Sequence, residues 1–477
     1  VNRIQSFEIL KGGSQIQYGP NTTGGAINMV SNQIPSQFSG RVVASMGNYD
    51  TRNTYVNLGD NFDNFGYLVE YNNRNSDGFK TIDFSNKNTG FDGNDYVGKF
   101  RINTNAAAKI FQSLTLKAQL SEESSNETYL GLTDADFDSN PYRRYLGSEA
   151  DNIDTKHEQI MLTHLLIPSD NFTLTTKAYN NTFSRNWYKL DNVRINGTNY
   201  ALSDILEDPI TNQIGYDAIT GTTDSPDNAL RVKANNRSYG SKGIQTVANL
   251  KFASEKFKHD LDFGVRYHED YEDRFQWVDG FAIQNKALFR TSAGTPGTDA
   301  NRILEAQAVA AHVLYNFTYN KLVLSPGLRY ENILSTSLNY GNADVDRTGA
   351  NLVKINNRVD VFIPGMGALY KFNDNYTGFA SLHKGFSPPG AVEGADVENS
   401  INYEAGFRFT KKALSGEIIG FYNDFSNLQG ADTNASGGTG TGDLFNAGKA
   451  EVNGVEVLVS YDILHNENSK IKLPITA

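Results

Sequence analysis

Two adjacent guanidinium groups, Arg143 and Arg144, stand between Tyr142 and Tyr145 in a polar stretch of this chain. A third, Arg185, shares the segment Ser184-Arg-Asn-Trp-Tyr-Lys189 with an ammonium group. A guanidinium offers a rigid fork of donors that matches a carboxylate two bonds at a time, so such groups suit an anionic ligand. Each also has a plainer use. Asp134, Asp136 and Asp138 are near enough in sequence to pair with Arg143 and Arg144, and Arg185 has Trp187 to stack on. Near the start, Gln15 and Gln17 precede Tyr18-Gly-Pro20 and Asn21 follows it; an amide there can reach a ligand or bond its own turn.

Enzyme-like constellations fail on inspection. Gly93-Asn-Asp-Tyr-Val-Gly98-Lys99 fits a phosphate-binding loop until Phe100 takes the place of the magnesium-binding hydroxyl. Tyr96, Gly98, Phe100 and Ile102 moreover form one face of a strand, leaving no loop-to-helix transition. Gly437-Gly-Thr-Gly-Thr-Gly442 is glycine-rich but lies in a polar loop. The seven histidines show no metal-ligand spacing, and His157 and His164, seven apart on an alternating strand, fall on opposite faces. There is no cysteine, which removes thiolate sites and disulfides. Neither a catalytic group nor a resident metal or cofactor is expected.

What positions these residues is a two-residue rhythm. In 260–268, Leu261, Phe263, Val265 and Tyr267 alternate with Asp260, Asp262, Gly264, Arg266 and His268. The same alternation recurs in 321–330, with Val323 as the exception, and in 402–410. Successive side chains of a strand point to opposite faces, so each segment has one apolar and one polar face. The polar face carries charges of both signs, as a wide wet interior requires. Short turns (60–64, 168–171, 254–258, 318–321, 373–375) alternate with long polar stretches near 124–156, 184–240, 271–304, 334–356, 385–399 and 426–450. That asymmetry is expected of outer-membrane barrels, with short turns on one side and long loops on the other. A mean hydropathy of −0.48 fits, because only every second residue of such a strand meets lipid. No apolar run approaches the ~18 residues of a membrane-spanning helix. The net charge of −11 argues against a nucleic-acid partner. On rhythm alone, a passive porin, an adhesive surface barrel and a soluble sandwich all stay open.

The opening run narrows this. Ile4…Glu8-Ile-Leu-Lys-Gly12, Tyr18-Gly-Pro20 and Gly24-Gly-Ala-Ile-Asn28 resemble the closing part of the plug domain of TonB-dependent outer-membrane receptors. Further stretches are similar to the ferric-citrate branch of that family: Thr128–Phe137, Asn140–Tyr145, Ser184–Lys189, Leu230–Arg237, Gly264–Asp270 and His383–Gly390. The resemblance implies an all-β transmembrane antiparallel barrel (residues 39–477) around the end of a plug domain (residues 1–38). The strand-like segments number roughly sixteen or seventeen of the ~22 of a complete receptor, so the chain is expected to be a fragment lacking both ends. It further implies residence in the outer membrane among lipid and lipopolysaccharide, a monomer, and import of a ferric chelate energised by the TonB–ExbB–ExbD complex. Ferric citrate or a related carboxylate chelate is the expected cargo; another siderophore, cobalamin or a glycan is the alternative. Asn21, Gln17, Arg143, Arg144 and Arg185 are the expected ligand contacts. The family usually has glutamine after Tyr-Gly-Pro; Asn21 is a methylene shorter. Trp187 and Tyr188 are expected in the interfacial aromatic girdle.

Overall fold

The computed structural model describes residues 2–10, 12–23, 25–392, 395–431, 444–464, 471 and 473–477. Nineteen strands form one antiparallel sheet whose order runs round a barrel. Two of these, Thr198–Ala201 and Ala287–Ser292, are short hairpin arms on Phe172–Ile195 and Phe257–Gln284. The remaining seventeen make the wall, within the number that the alternation suggests. Antiparallel pairing runs neighbour to neighbour from Ser39–Gly47 round to Pro474–Thr476, with register shifts at a few places such as Leu190/Asn192 and Lys371/Asn373.

The rhythm becomes two surfaces. Phe263, Val265 and Tyr267 are exposed on the outside, as are Val309, Leu328, Phe362, Leu382, Tyr403 and Phe407 on other strands. Inside, Gly264, His312 and Arg329 share one level across three paired strands. Such an apolar belt needs a nonaqueous neighbour, and a lipid bilayer supplies one. Aromatic rings gather at its lower edge, where His259 stacks on Phe252 with ring centroids 4.3 Å apart and Phe257 on Tyr319 at 5.1 Å. No helix among the described residues is long and apolar enough to cross a membrane, which says nothing about crossing by strands. Gly93–Lys99 lies within the strand Phe91–Asn103, as its alternation requires. The glycine run 437–442 falls outside the described residues.

The N-terminal segment lies inside the ring. Ile4–Leu10 pairs with Ala26–Ser31, and between them Gly12–Gln17 forms a short 3-10 helix. On one wall, Asn32 Nδ2 donates to Glu70 Oε1 (2.6 Å) and Tyr55 Oη (3.0 Å), Arg3 pairs with Asp95 at 3.1 Å, and Lys99 Nζ donates to Ser31 Oγ (2.9 Å). On the opposite wall, Arg329 Nη1 donates to the carbonyls of Ile16 and Gln17, each at 3.3 Å.

The long polar stretches are less loop-like than expected. Strand runs on to Ile195, resumes at Leu230 and fills Phe257–Gln284, across much of 184–240 and 271–304. Above the lipid both strand faces meet water, so the alternation fades while the backbone ladder continues. The remaining loop carries three short helices, Asp134–Ser139, Leu202–Glu207 and Gln213–Thr220. The first is capped by Thr133, whose hydroxyl accepts the Asp136 N–H at 3.2 Å. These pieces enclose an apolar core of their own, with Tyr145, Leu146, Leu190, Ile205, Ile219 and Ile283 buried. A firm external cap results.

Candidate functional site

A cavity of about 1180 Å³ occupies the lumen directly above the inner segment. Its floor is Pro20 and Asn21, and its walls come from the strands around it. Register fixes the levels. Gln159, Asn181, Ser241, Asp270, Ala306 and Ser335 are successive cross-strand partners, and they form one ring step that is polar except at Ala306. One step higher lie His157, Phe183, Tyr239, Glu272 and Leu304.

Asn21 is the expected residue that the cavity keeps. It sits at φ +63°, a left-handed turn conformation that asparagine tolerates better than most residues. Its N–H bonds the Phe386 carbonyl at 2.9 Å, and Ser387 Oγ donates to its Oδ1 at 2.6 Å. The turn role and the cavity position therefore coexist. Gln17 is half-buried beneath this floor, its carbonyl held by Arg329. Gln15 is buried.

Arg143 and Arg144 are not brought to the cavity lining. Arg143 bonds Asp83 Oδ2 (2.7 Å) and Asp136 Oδ1 (2.6 Å), and Arg144 donates to the Pro141 carbonyl (2.9 Å). Asp136 also receives the hydroxyls of Tyr145 and Tyr216, each at 2.6 Å. Burial works against its charge, but these hydroxyls, Thr133 and the Arg143 guanidinium hold its carboxyl below the usual carboxylate range. This is a knot that ties the cap together. Asp151, 1 % exposed, makes a second: its oxygens accept the N–H groups of Leu190 (2.9 Å) and Tyr129 (3.1 Å). Burial pushes its carboxyl up to about 7, against those two bonds and the charges of Lys87 and Lys189.

Trp187 and Tyr188 are not girdle residues. Trp187 meets Tyr129 edge-on at 5.1 Å, and Lys189 Nζ lies 3.4 Å from the Tyr129 ring centre and 4.3 Å from that of Trp187. Tyr188 donates to Asp279 at 2.6 Å. Both belong to the part of the wall above the lipid, where their strand continues past the apolar belt. Arg185 lies two residues beyond Phe183 and so on the same lumen face, just above the cavity, with its guanidinium carbon 5.9 Å from the Trp187 ring centre.

Single residues that individual segments do not advertise complete the site. Arg266 lines the cavity, and its partners among the described residues are neutral: Tyr179 Oη at 3.0 Å and His268 Nδ1 at 2.9 Å. Arginine can only donate, so His268 accepts at Nδ1 and carries its proton at Nε2, facing Asp270 Oδ2 at 3.2 Å. The signal for these was the polar phase of 260–268, where Arg266 and His268 alternate with Val265 and Tyr267. Among the described residues no cluster of histidine and acidic side chains could hold a metal ion.

A family model described as "TonB dependent receptor-like, beta-barrel" matches residues 121–473. Among solved structures, the chain is similar to the unliganded ferric citrate transporter FecA (17 % identity, TM-score 0.71, 97 % of this chain and 62 % of that one). It is also similar to the siderophore receptor PiuA from Acinetobacter baumannii (12 %, 0.71, 97 % and 66 %). A third is the ferric yersiniabactin uptake receptor FyuA from Yersinia pestis (14 %, 0.67, 96 % and 64 %). At these identities the likeness speaks to fold, and the chain spans less than two thirds of the first of them.

Proposed function

Because the chain belongs to the TonB-dependent receptor-like β-barrel family of the outer membrane, we propose that the complete protein imports a ferric chelate through this barrel. The observation that carries the reading is the cavity above Pro20 and Asn21. It opens inside a barrel whose lumen the N-terminal segment occupies, and its size exceeds the ~300–1,000 Å³ of ordinary small-ligand pockets. Residues 1–38 are then the end of a plug, and 39–477 the barrel. Cargo settles on the plug apex, with Asn21 among its contacts, and TonB–ExbB–ExbD supplies the energy that rearranges the plug. No bond is made or broken; the family transports rather than catalyses.

Ferric citrate or a related carboxylate chelate is the finer cargo we propose. It is supported by the resemblance of 128–137, 140–145, 184–189 and 264–270 and by Arg266 in the cavity wall, whose hydrogen bonds go to the neutral Tyr179 and His268. The test is uptake of radioactive iron by cells with and without the intact gene, supplied as ferric citrate or as other ferric chelates. Loss of ferric citrate uptake on deletion and on collapse of the proton-motive force is expected. Unchanged uptake of every chelate defeats the import reading; loss confined to another chelate keeps import and changes the cargo.

A further inference from the structure

The outer wall of the barrel carries a groove as well as a belt. Val69, Gly98, Ala118, Ile160, Asn180 and Lys242 are successive cross-strand partners on six adjacent strands. Alternation puts them on the lipid face, where Val69, Tyr96, Phe100 and Ile160 are exposed. Two of the six, Gly98 and Ala118, are small. A concavity of about 690 Å³ lies over them, walled by Tyr96, Leu120 and Ile160 and reaching Asn180 and Thr182. A second, of about 370 Å³, begins at the same Asn180 and Thr182 and continues over Lys242, Glu269 and Gln307. Together they make one slanting trough.

Its slope follows from strand tilt. Five strand spacings of ~4.8 Å make about 24 Å along the row, and a tilt near 40° turns that into a climb of roughly 15 Å. That is one leaflet of a ~30 Å hydrocarbon core. The positions of the residues give the direction. Val69 lies near the lower end of Phe65–Ser76, whereas Lys242 stands at the middle of the 24-residue Leu230–Ala253. The trough therefore begins among apolar side chains in the belt and ends among polar ones above it.

The upper end is net acidic. Glu122, Glu158, Glu269 and Glu305 stand there against Lys156 and Lys242. Lys242 lies 2.8 Å from Glu269, and Lys156 lies 2.9 Å from Glu158 and 3.7 Å from Glu122, so carboxylates remain in excess after the ion pairs form. Asn180, Thr182 and Gln307 add amide and hydroxyl groups between them. Gly240 leaves room for the Tyr271 ring, which a Cβ there would strike.

We propose that this trough holds one phospholipid with an amine-bearing, zwitterionic head, its acyl chain over Gly98 and Ala118 and its head at Lys242 and Glu269. An apolar channel that climbs one leaflet and ends in a polar pocket has the outline of such a molecule. The excess carboxylates receive the ammonium group, and Lys242 receives the phosphate. A purely anionic head meets like charges there instead. Bound in this way the lipid bridges the short strands of the wall and the tall ones. The site lies outside the lumen and is independent of what the lumen carries.

The test is native mass spectrometry of the full-length protein after equilibration in detergent with one lipid at a time. The probes are phosphatidylethanolamine, phosphatidylglycerol with the same chains, and lipid A. One retained phosphatidylethanolamine per barrel is expected, with phosphatidylglycerol retained about tenfold less, the loss of a charged hydrogen bond. Ala118→Phe fills the dent from the exposed side of the wall, and Glu269→Gln with Glu305→Gln removes the acidic excess. Each change should cut retention of phosphatidylethanolamine about tenfold. Val309→Phe, on the outer face away from the trough, should retain it as the wild type does. Migration of the unheated barrel on a denaturing gel reports that each variant is folded. Equal retention of the two phospholipids, or wild-type retention in both the Ala118 and the glutamine variants, overturns the site. Preference for lipid A overturns the phospholipid and gives the trough to a glycolipid. All of these outcomes leave the import reading untouched.

Discussion

Ser387 Oγ donates a 2.6 Å hydrogen bond to Asn21 Oδ1, joining a barrel strand to the turn that floors the cavity. The contact is reinforced by the backbone, since the N–H groups of Asn21 and Thr22 both point at the Phe386 carbonyl, at 2.9 and 3.4 Å. Asn21 thus serves the turn, the wall and the cavity together. Ser387→Ala and Asn21→Gly should each cost the turn about 1 kcal/mol, one neutral hydrogen bond. Asn21→Ala should cost more, because alanine also resists a φ of +63°. Amide exchange at Thr22 is the readout; equal protection in the alanine and glycine variants would show that backbone strain plays no part.

Arg329 and Glu331 form a pair at 2.6 Å with side chains 3 % and 2 % exposed. Gly19, at φ +97°, packs against them: a Cβ there would lie 3.0 Å from Arg329 Nη2. Removing either charge leaves the other buried without its counter-charge, a loss of about 3–5 kcal/mol. Replacing both by apolar residues should be milder than either single change. Denaturant midpoints for Arg329→Met, Glu331→Leu and the double variant decide it; additive losses would mean that the pair is not coupled.

Asp151 makes the external cap sensitive to pH. Its folded-state pKa of about 7 lies above the ordinary carboxyl value, so the folded cap holds a proton that the opened chain releases. The stabilisation is fully present below about pH 4 and is lost as pH rises through 7. Exchange protection at Tyr129 and Leu190, whose amides it binds, should fall across that window. Asp151→Asn should flatten the dependence; a slope that survives the substitution would assign it to another group.

Arg143 tests the division between cap and cavity. Arg143→Ala should cost the cap roughly 1–3 kcal/mol through its lost charged hydrogen bonds. Proteolysis of the 124–151 segment should accelerate while ferric chelate affinity stays within about twofold. A large loss of affinity with an intact cap would return Arg143 to the ligand.

The wall was legible because lipid and lumen impose opposite demands on consecutive residues, as Phe263, Val265 and Tyr267 against Gly264, Arg266 and His268 show. The turn at Asn21 was legible from Tyr18-Gly-Pro20. The cap was not: Gln213–Thr220 is too short for its helical period to stand out, and it folds on the Leu146, Leu190 and Ile283 core that distant segments supply. Nor was the cross-strand alignment of four arginines on adjacent strands. Arg185, Arg237, Arg274 and Arg302 are far apart in the chain and meet only once strand register is set, whereas Arg143 and Arg144, adjacent in sequence, serve Asp83, Asp136 and the loop backbone. Adjacency in the chain is a poor guide to what faces the lumen together.

The strands also differ in length: 28 residues in Phe257–Gln284 against nine in Ser39–Gly47. At ~3.3 Å per residue and a tilt near 40°, the longer stands on the order of 70 Å tall, against an apolar belt of ~25 Å. The rim is therefore oblique, a high bank facing a low shore. The high bank is also where Arg185, Arg237, Arg274 and Arg302 stand in register on four adjacent strands.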